Sequence, residues 1–567
     1  MNHDFGTWDY LVFIVYGLVI VSIGLWVSRK KKGTERTAQD YFLAGKSLPW
    51  WAIGASLIAA NISAEQMIGM SGSGFAIGLG IASYEWMAAI TLIIVGKFFL
   101  PIFFEKKIYT IPEFLEKRFG SNLKSILAVF WIALFVFVNL TSVLYLGAKA
   151  LDTILGVGDG SLIIPAIIGL ALFTLIYSLR GGLSSVAWTD VVQVTILVIG
   201  GLITAIIALQ SLVPDGGIIA GLEYIYDKVP EKFSMILQKG ELITPNGDDA
   251  WFDLPGLSVL LGGMWVANLY YWGFNQYIIQ RTFAAKSLRE SQRGIIFAGF
   301  LKLIIPLIVV VPGIIAYVLN AGPDGNVTAA SVDPAFLKES GVVDNDRAYP
   351  WLIDAFIPVG LKGLVLAALA AAIVSSLASM LNSTATIFTM DIYRPFINKN
   401  STERQNVATG RITAVVALLI ACFIAPMLGN IKQAFQYIQE YTGIVSPGIL
   451  AIFILGLFWK KTTNHAAIWG AVLSIPVAMY FKVGSNGWAE GTALEALFVN
   501  VPWMNQMAYT FVIVLGIILL LSRIEGKGKV DEKGIKLKKE TFKTGPVFNI
   551  GAFVIFVILA VLYAVFW

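Results

Sequence analysis

The sequence predicts an all-α, polytopic membrane protein with 14 transmembrane helices, on three observations. Of its 567 residues, 57% are hydrophobic and only 14% are charged, whereas a soluble globular chain carries about 25% charged residues. The mean hydropathy is +0.75. Basic residues also alternate from loop to loop, as the positive-inside rule describes. Most of the chain is therefore expected to lie in a lipid bilayer, its first predicted partner.

Runs of about 20 mostly apolar residues are long enough to cross a bilayer as helices. The first is interpreted as a retained helix, because the N-terminus lacks the basic segment and cleavage site of a signal peptide. The fourteen runs are, in order, Tyr10–Val27, Trp51–Phe75, Ser83–Phe104, Ile126–Leu146, Ile163–Ser178, Trp188–Leu212, Leu257–Gln280, Ile295–Leu319, Leu364–Met390, Ile412–Met427, Tyr437–Trp459, Ala466–Phe481, Met507–Ser522 and Phe548–Trp567.

Charge distribution fixes the predicted orientation. Seven alternate loops hold 30 of the 41 Lys and Arg residues, nine lie in the opposite loops, and Lys97 and Lys302 fall within spans. The basic loops are therefore predicted to be cytoplasmic and both termini outside, in a cell (inner or plasma) membrane. Since the basic residues follow this rule, the net charge of +5 does not indicate a nucleic-acid partner. The sequence indicates no obligate protein partner.

Cysteine and histidine are too scarce for most metal or redox chemistry. A single cysteine, Cys422, excludes an intrachain disulfide framework and a CxxC site. The two histidines are far apart in sequence, and HExxH, G-x-S-x-G and P-loop patterns are missing from the sequence. We therefore do not expect an enzyme.

Two predicted spans contain polar residues and glycines where a continuous apolar helix is expected. Span two runs through the polar stretch Asn61–Gln66 into the glycine-rich run Gly69–Gly74, and span seven carries Gly262, Gly263 and Asn268. Discontinuous helices whose freed carbonyls line a cavity are typical of transporters. This interpretation is favoured over a glycine-rich packing face, because a carboxyl and an amide accompany the glycines of span two.

The two irregular spans lie five apart in the count, which points to inverted repeats with a site at their interface. Residues 51–212 would form the first repeat and 257–459 the second. Residues 10–27 would then be an extra N-terminal helix, and 466–567 a set of C-terminal helices. This pattern predicts an alternating-access transporter.

The few polar side chains within spans indicate the kind of substrate. Glu85 and Lys302 either pair with each other or contact a ligand, and Gln436 and Gln439 add amides at the start of span eleven. One base, one acid and several amides suit a neutral polyol. A carboxylate or phosphate substrate would call for arginine, and no arginine lies within a predicted span.

Span nine carries a possible cation site. Ala372, Ser375 and Ser376 share one helix face by their spacing. Hydroxyls and backbone carbonyls are hard oxygen ligands, and the carbonyls of Ala59 and Ile62 would complete a sodium shell if span two is broken there. Back-bonding of the serines to the preceding turn is the alternative, and alone it would be the better explanation.

Several motifs resemble the sodium/solute symporter family and, within it, the sugar symporters. They are Tyr41–Lys46, Ala59–Gly74, Tyr177–Ser184, Asn382–Thr384 and Phe388–Tyr393. The similarity covers nearly the whole chain and weakens in the outer loops, in 483–501 and in the basic loop before the last helix. It implies fourteen helices around the inverted five-plus-five core of the amino-acid transporter LeuT.

The resemblance also implies residue roles. Tyr271 would stack on the sugar as an inner gate beside Trp272, and Asp190 would lie on the ion's exit route. The implied sugar contacts are Gln66, Glu85, Asn268, Tyr271, Lys302 and Gln439. The implied outer lid is Met70, Tyr84 and Phe435. The implied sodium ligands are Ala59, Ile62, Ala372, Ser375 and Ser376, with Na⁺ as the coupling ion.

One position departs from the family's galactose symporters: Ala88 stands where they carry a sugar-binding serine one turn after the site glutamate. The preference between galactose and glucose is therefore left open. The resemblance implies sodium-coupled symport of a neutral hexose into the cell. The alternatives are a sodium symporter for another solute, such as myo-inositol, an amino acid or sialic acid, or a membrane nutrient sensor that does not transport.

Overall fold

The computed structural model describes residues 5–27, 46–108, 110–155, 160–338, 340–430 and 433–567. The predicted basic loop after the first span and most of the Tyr41–Lys46 motif lie outside these ranges. So do the side chains of residues 177–182, which include Arg180 in the third of the predicted basic loops.

The described residues form helices joined by loops, and their only β-type pairings are three isolated bridges. The helices are α1 (Thr7–Val27), α2 (Trp50–Asn61), α3 (Ser71–Ile77), α4 (Leu79–Glu105), α5 (Ile111–Arg118), α6 (Ser121–Ile154), α7 (Ile163–Leu212), α8 (Gly217–Lys228), α9 (Leu257–Leu261), α10 (Gly263–Phe274), α11 (Gln276–Phe283), α12 (Leu288–Asn320), α13 (Ala348–Phe356), α14 (Leu361–Ile397), α15 (Glu403–Gly429), α16 (Ala434–Phe458), α17 (Asn464–Ser485), α18 (Trp503–Gly526) and α19 (Pro546–Val565).

Eleven helices of the described ranges are long and apolar enough to cross a membrane. The pair Ala250–Leu261 and Gly263–Phe274, bent by 76°, makes twelve if it is counted as one span. The apolar helix Ile163–Ile176 is shorter. The all-helical prediction is thus confirmed for the described residues, and the chain is a multi-pass membrane protein.

Helix α7 has 50 residues, where the sequence predicts two spans and a loop. A straight helix of that length would be about 75 Å long, more than twice a ~30 Å hydrocarbon core. Phe173 lies against Gly17 of α1, and Val192 packs against a cluster formed by Tyr16 and Ile20 of α1 with two alanines of α14. Phe173 and Val192 would be about 28 Å apart in a straight helix, so the chain turns back between them. Both halves therefore contact α1, although the connection between them is helical.

Both irregular spans are broken, as predicted. Span two is divided into α2, a π-helical turn over Glu65–Met70, and α3, because the backbone at Ile62 is extended (φ −76°, ψ 103°). Span seven is divided by Gly262 (φ −125°, ψ −118°) and again by Asn275, whose ψ is 118°. These breaks bring polar backbone into the interior of the bundle.

Helix α14 lies at the centre of the bundle and α1 at its edge. In the 18-residue apolar stretch of α14, 94% of the residues are buried, whereas the corresponding share is 17% in α1 and 22% in α19. The central helix is rich in alanine and serine, and small side chains let neighbouring helices approach closely in a membrane protein. The predicted cation-site residues of span nine are therefore deep inside the protein.

Candidate functional site

All six side chains predicted to bind substrate line one cavity inside the bundle: Gln66, Glu85, Asn268, Tyr271, Lys302 and Gln439. The cavity encloses about 530 Å³ that protein atoms do not occupy, counting its open part. Residues almost four hundred positions apart thus converge on one chamber.

Five elements deliver these side chains. Gln66 lies in the π-helical turn after α2, Glu85 near the start of α4, and Lys302 within α12. Asn268 and Tyr271 are three residues apart on α10, while Gln439 follows the first turn of α16. The spacing on α10 places both side chains on one face of the helix. The cavity therefore lies between the two broken spans and three continuous helices.

Side chains of span two replace the helical hydrogen bonds at its break. The Ser63 amide and hydroxyl both donate to Gln66 Oε1, each at 3.1 Å. Ser63 Oγ also accepts from the Glu65 amide at 3.1 Å. In a continuous helix the Ser63 amide would donate to the carbonyl of Ala59. That carbonyl is therefore released, as the sodium-site prediction requires.

Lys302 and Glu85 form a buried ion pair at the cavity wall. The Lys302 ammonium donates to Glu85 Oε2 and to Asn61 Oδ1, and it lies 5.0 Å from the centre of the Trp272 ring. Both charged side chains are at most 3% exposed. Of the two possibilities that the sequence left open, pairing is therefore realised, and both residues line the cavity as well.

Tyr271, the predicted inner gate, is held by two hydrogen bonds. Its hydroxyl accepts from Asn61 Nδ2 at 3.1 Å and from the Tyr277 hydroxyl at 2.7 Å. The Tyr271 ring meets Trp272 at a centroid distance of 5.2 Å. Asn61, at the end of α2, therefore links the Lys302 pair to this aromatic group.

Two of the three residues predicted to form an outer lid, Tyr84 and Phe435, contact each other. The rings of Tyr84 and Phe435 meet edge to face at 4.9 Å, and both are buried. Gly69 lies so close to Phe435 that a Cβ there would be 3.0 Å from it. Met70 is fully buried beside Gly69, but it is not among the described side chains that line the cavity.

Asp346 fixes the start of α16, the helix that carries the predicted lid residue Phe435. Its Oδ2 accepts from the Ala434 amide at the start of α16, at 3.1 Å. Its Oδ1 packs against Gly72 of α3, and Lys149 lies 3.9 Å away. Burial raises the pKa of Asp346 to about 7. The loop before α13 thus joins the lid helix to the broken span two.

The five predicted sodium ligands lie on α14 and at the C-terminal end of α2, and all are buried. Ser376 Oγ donates to the carbonyl of Ala60 at 3.1 Å. Ser375 Oγ donates to Asp190 Oδ1 at 2.5 Å. Asp190, predicted to lie on the exit route, is therefore one hydrogen bond away from a predicted ligand. The donor set of hydroxyl and carbonyl oxygens fits a small hard cation.

Arg281 follows the last residue of predicted span seven and is one of the 30 basic residues counted in the predicted cytoplasmic loops. Its side chain is 1% exposed and pairs with Asp190 at 3.3 Å. Its Nε donates to Ser56 Oγ at 2.7 Å, and its other nitrogens donate to Ser379 Oγ and to the Tyr277 carbonyl. The break at Asn275 redirects the chain, so that α11 carries Arg281 back into the protein instead of out to solvent.

The sequence interpretation left several cavity residues without a role. Asn61 and Glu65 were recognised as polar intrusions only. Thr442 and Ser446 follow Gln439 by three and seven residues, so a helix-face pattern would have found them. The cavity residues without a predicted role are Asn61, Glu65, Ala267, Tyr270, Thr442, Ser446 and Met507, and Ala88 lines it too.

The fold and the cavity together define a multi-pass membrane protein with a buried polar site between broken helices. The chain belongs to the sodium:solute symporter family, whose model matches residues 41–474. The family resemblance stated from the sequence is thereby confirmed.

Relatives extend along the whole chain. It is 57% identical over 567 residues to a protein of Vibrio parahaemolyticus named sodium/glucose cotransporter, covering 100% of this chain and 99% of that one. It is 31% identical to sodium/glucose cotransporter 1 of Sus scrofa, covering 91% and 78%. It is 33% identical to human sodium/myo-inositol cotransporter 2, covering 82% and 68%.

A solved structure shares the fold. It is the substrate-bound, outward-open state of a Na⁺-coupled sialic acid symporter, with a TM-score of 0.74 and 22% identity, covering 92% of this chain and 98% of that one. At this identity the likeness concerns the fold alone.

Proposed function

We propose that this protein is a sodium-coupled symporter that carries a neutral hexose, galactose or glucose, into the cell by alternating access, and that it is not an enzyme. The observation that carries the proposal is 57% identity, over the full length, to a relative named sodium/glucose cotransporter. The family match supports sodium as the coupling ion.

The chemistry of the cavity supports an uncharged, hydroxyl-rich substrate. Its wall offers amide groups at Gln66, Asn268 and Gln439. Ser63 engages Oε1 of Gln66, so Gln66 offers its NH2 group as a donor, whereas an amide such as that of Gln439 can both donate and accept hydrogen bonds. Tyr271 and Trp272 add aromatic surface for the apolar face of a sugar ring. The charged lining residues are two glutamates and one lysine, a set that favours a neutral sugar over an acid such as sialic acid.

We assign the remaining roles as follows. Gln66, Glu85, Asn268, Lys302 and Gln439 would hydrogen-bond the sugar, Tyr271 would stack on it, and Trp272 would complete the inner gate. Met70, Tyr84 and Phe435 would form the outer lid. The contacts among Tyr84, Phe435 and Gly69 support a lid that closes over the cavity.

We propose that sodium binds between the break in span two and α14. Its ligands would be the carbonyls of Ala59, Ile62 and Ala372 and the hydroxyls of Ser375 and Ser376. The released Ala59 carbonyl and the close approach of Ser376 to α2 support this assignment. Asp190 would receive the ion on its way to the cytoplasm.

Sodium would couple to sugar through the broken span. An ion held between α2 and α14 would fix the segment that carries Gln66, so that sugar meets a preorganised site. One charge crossing ~100 mV yields about 2.3 kcal/mol, and a tenfold sodium gradient adds about 1.4 kcal/mol. The total of ~3.7 kcal/mol supports an accumulation of roughly several hundredfold.

We propose that the membrane topology has 14 spans. Adding the broken span two and the short helix Ile163–Ile176 to the eleven long helices and the bent pair gives this number. Residues 51–212 and 257–459 would be the two inverted repeats, with both termini outside the cell membrane. Cysteines placed in turn at residues 2 and 567, in a background that lacks Cys422, test the orientation by labelling in intact cells.

Uptake into proteoliposomes tests the function. Labelled galactose should accumulate under an inward sodium gradient but not under an equal potassium gradient, and unlabelled glucose should compete. Ser376→Ala should weaken sodium activation, while Gln439→Ala or Asn268→Ala should raise the half-saturating sugar concentration. If sodium drives no uptake of either sugar, the substrate assignment fails, and myo-inositol and amino acids become the next substrates to test.

A further inference from the structure

One ionisable side chain in the substrate cavity has no cationic partner within the described ranges of the chain. Three charged side chains line it, and two of them, Lys302 and Glu85, are paired with each other. The third is Glu65, which is 7% exposed. Its Oε1 has no hydrogen-bond partner in the described part of the chain, and the polar neighbour beside it is the neutral amide of Asn139. A buried carboxyl without a cation is costly, so this residue calls for a functional explanation.

The backbone holds Glu65 in the cavity wall. It is the first residue of the π-helical turn, and its amide donates to Ser63 Oγ at 3.1 Å. Gln66 Oε1 is engaged by Ser63, so the neighbouring amide oxygen is already used within the break. The position of the carboxyl therefore follows from the break itself, in the segment that is proposed to respond to sodium.

We propose that the cavity accepts amino sugars as well as neutral hexoses, and that Glu65 pairs with their ammonium group. This inference rests on the proposed sugar symport. A 2-amino-2-deoxyhexose has one hydroxyl replaced by a protonated amine of similar size, so little is lost in shape. Its positive charge supplies the countercharge that Glu65 lacks. An acidic sugar instead meets two carboxyls and a lysine that is already engaged, and is excluded.

Competition against labelled galactose tests the proposal in sodium-energised proteoliposomes of the full-length protein. The competitors are galactosamine, its uncharged counterpart 2-deoxygalactose, and galacturonate. For the wild type, galactosamine should inhibit at least tenfold more strongly than 2-deoxygalactose, and galacturonate should not compete. In Glu65→Gln the ratio of the galactosamine to the galactose half-inhibition constants should rise about tenfold. Glu65→Asp, which keeps the charge, should retain most of the preference.

Thr442→Val is the matched control, because it changes a neutral side chain of the same cavity and should leave that ratio unaltered. The proposal is overturned if galactosamine competes no better than 2-deoxygalactose, or if Glu65→Gln leaves the ratio unchanged. Should Glu65→Gln fail to fold, the wild-type comparison decides alone. Loss of sodium-driven galactose uptake by the wild type would instead overturn the proposed function, so the two failures are distinguishable.

Discussion

Two buried ion pairs contact the same helix, α2, and are built differently. Lys302–Glu85 meets α2 through Asn61, at its end, and lies in the cavity wall. Arg281–Asp190 meets α2 through Ser56, five residues earlier, beside the predicted sodium ligands. A lysine is a compact point charge, whereas the planar arginine fork spreads its donors over several partners.

The surroundings of the two cations indicate a different role for each ion pair. Lys302 lines the cavity, and its ammonium donates to Glu85 and Asn61, which leaves the third of its three donors for a sugar hydroxyl. The Arg281 guanidinium is surrounded by protein oxygens from α2, α7, α11 and α14. The first pair therefore suits ligand binding, and the second suits the joining of helices that must stay in register around an ion.

The largest expected effect comes from breaking the cavity pair. Lys302→Met leaves Glu85 buried without its cation, which typically costs about 3–5 kcal/mol of stability, and sugar uptake should be lost with it. Thermal unfolding of the purified protein measures the first effect. Adding Glu85→Gln to the same variant should restore part of the stability, because it removes the stranded charge. A single variant as stable as the wild type would contradict the pairing.

The second prediction concerns the arginine pair. Arg281→Lys keeps the charge but cannot reach oxygens on four helices, so we expect a loss of about 1–3 kcal/mol in the free energy of unfolding. The half-activating sodium concentration should also rise, because Asp190 and Ser375 lose their fixed positions.

Arg118→Lys is the matched control for that prediction. Arg118 is also buried, and it donates to the carbonyl oxygens of Gly456 and Thr462 and to Asp531, far from the ion residues. Its replacement should lower stability by a similar amount without altering sodium activation. Equal sodium responses in the two variants would show that Arg281 acts on stability alone.

One of the two ion pairs could be predicted from the sequence, and the other could not. Lys302 and Glu85 stand out because a charge within an apolar run is conspicuous, and their pairing was foreseen as one possibility. Arg281 follows the last residue of a predicted span, where a cytoplasmic base is the normal expectation. Arg281 is buried because the chain breaks at Asn275 and α11 turns inward. No single residue in the sequence predicts that turn.

The fold divides in the same way. Hydropathy predicts where the long helices lie, although several of them extend five to nine residues beyond the predicted bounds. The glycine and polar clusters of spans two and seven predict their breaks. The helical connection within α7 depends on tertiary contacts, and the local bonds between Ser63 and Gln66 that replace the helix at the break leave no hydropathy signal. The set of cavity residues was incomplete because Thr442 and Ser446 are inconspicuous in sequence, although their helix face is that of Gln439.

Asp346 is a third buried carboxyl, and it differs from Glu85 and Asp190 because its nearest cation is not in direct contact. Lys149 lies 3.9 Å from Asp346, against 2.7 Å from Asp344. With a folded-state pKa raised to about 7 by burial, Asp346 holds its proton in the folded protein over a range where the unfolded chain has lost it. Its contribution to stability is therefore full below about pH 4 and is lost as the pH rises towards 7.

Asp346→Asn tests this contribution. The difference in unfolding free energy between wild type and variant should change by up to about 1.4 kcal/mol per pH unit between pH 4 and pH 7, with the wild type gaining towards low pH. Thermal unfolding across this range measures it. A difference that does not vary with pH would mean that Asp346 ionises normally.

The smallest effect is expected from Ala88→Ser, which adds a hydroxyl to the cavity wall three residues after Glu85. One further hydrogen bond to a bound sugar contributes about 0.5–1.5 kcal/mol net, which is roughly a two- to tenfold lower half-saturating concentration. The gain should be larger for whichever of galactose and glucose directs a hydroxyl towards this position, and competition uptake measures both. Because Glu85 is held by Lys302, the new hydroxyl adds to a fixed pair instead of rearranging it. A change in stability without a change in sugar preference would mean that the introduced hydroxyl bonds to its own helix, and that the cavity pair alone determines recognition on this wall.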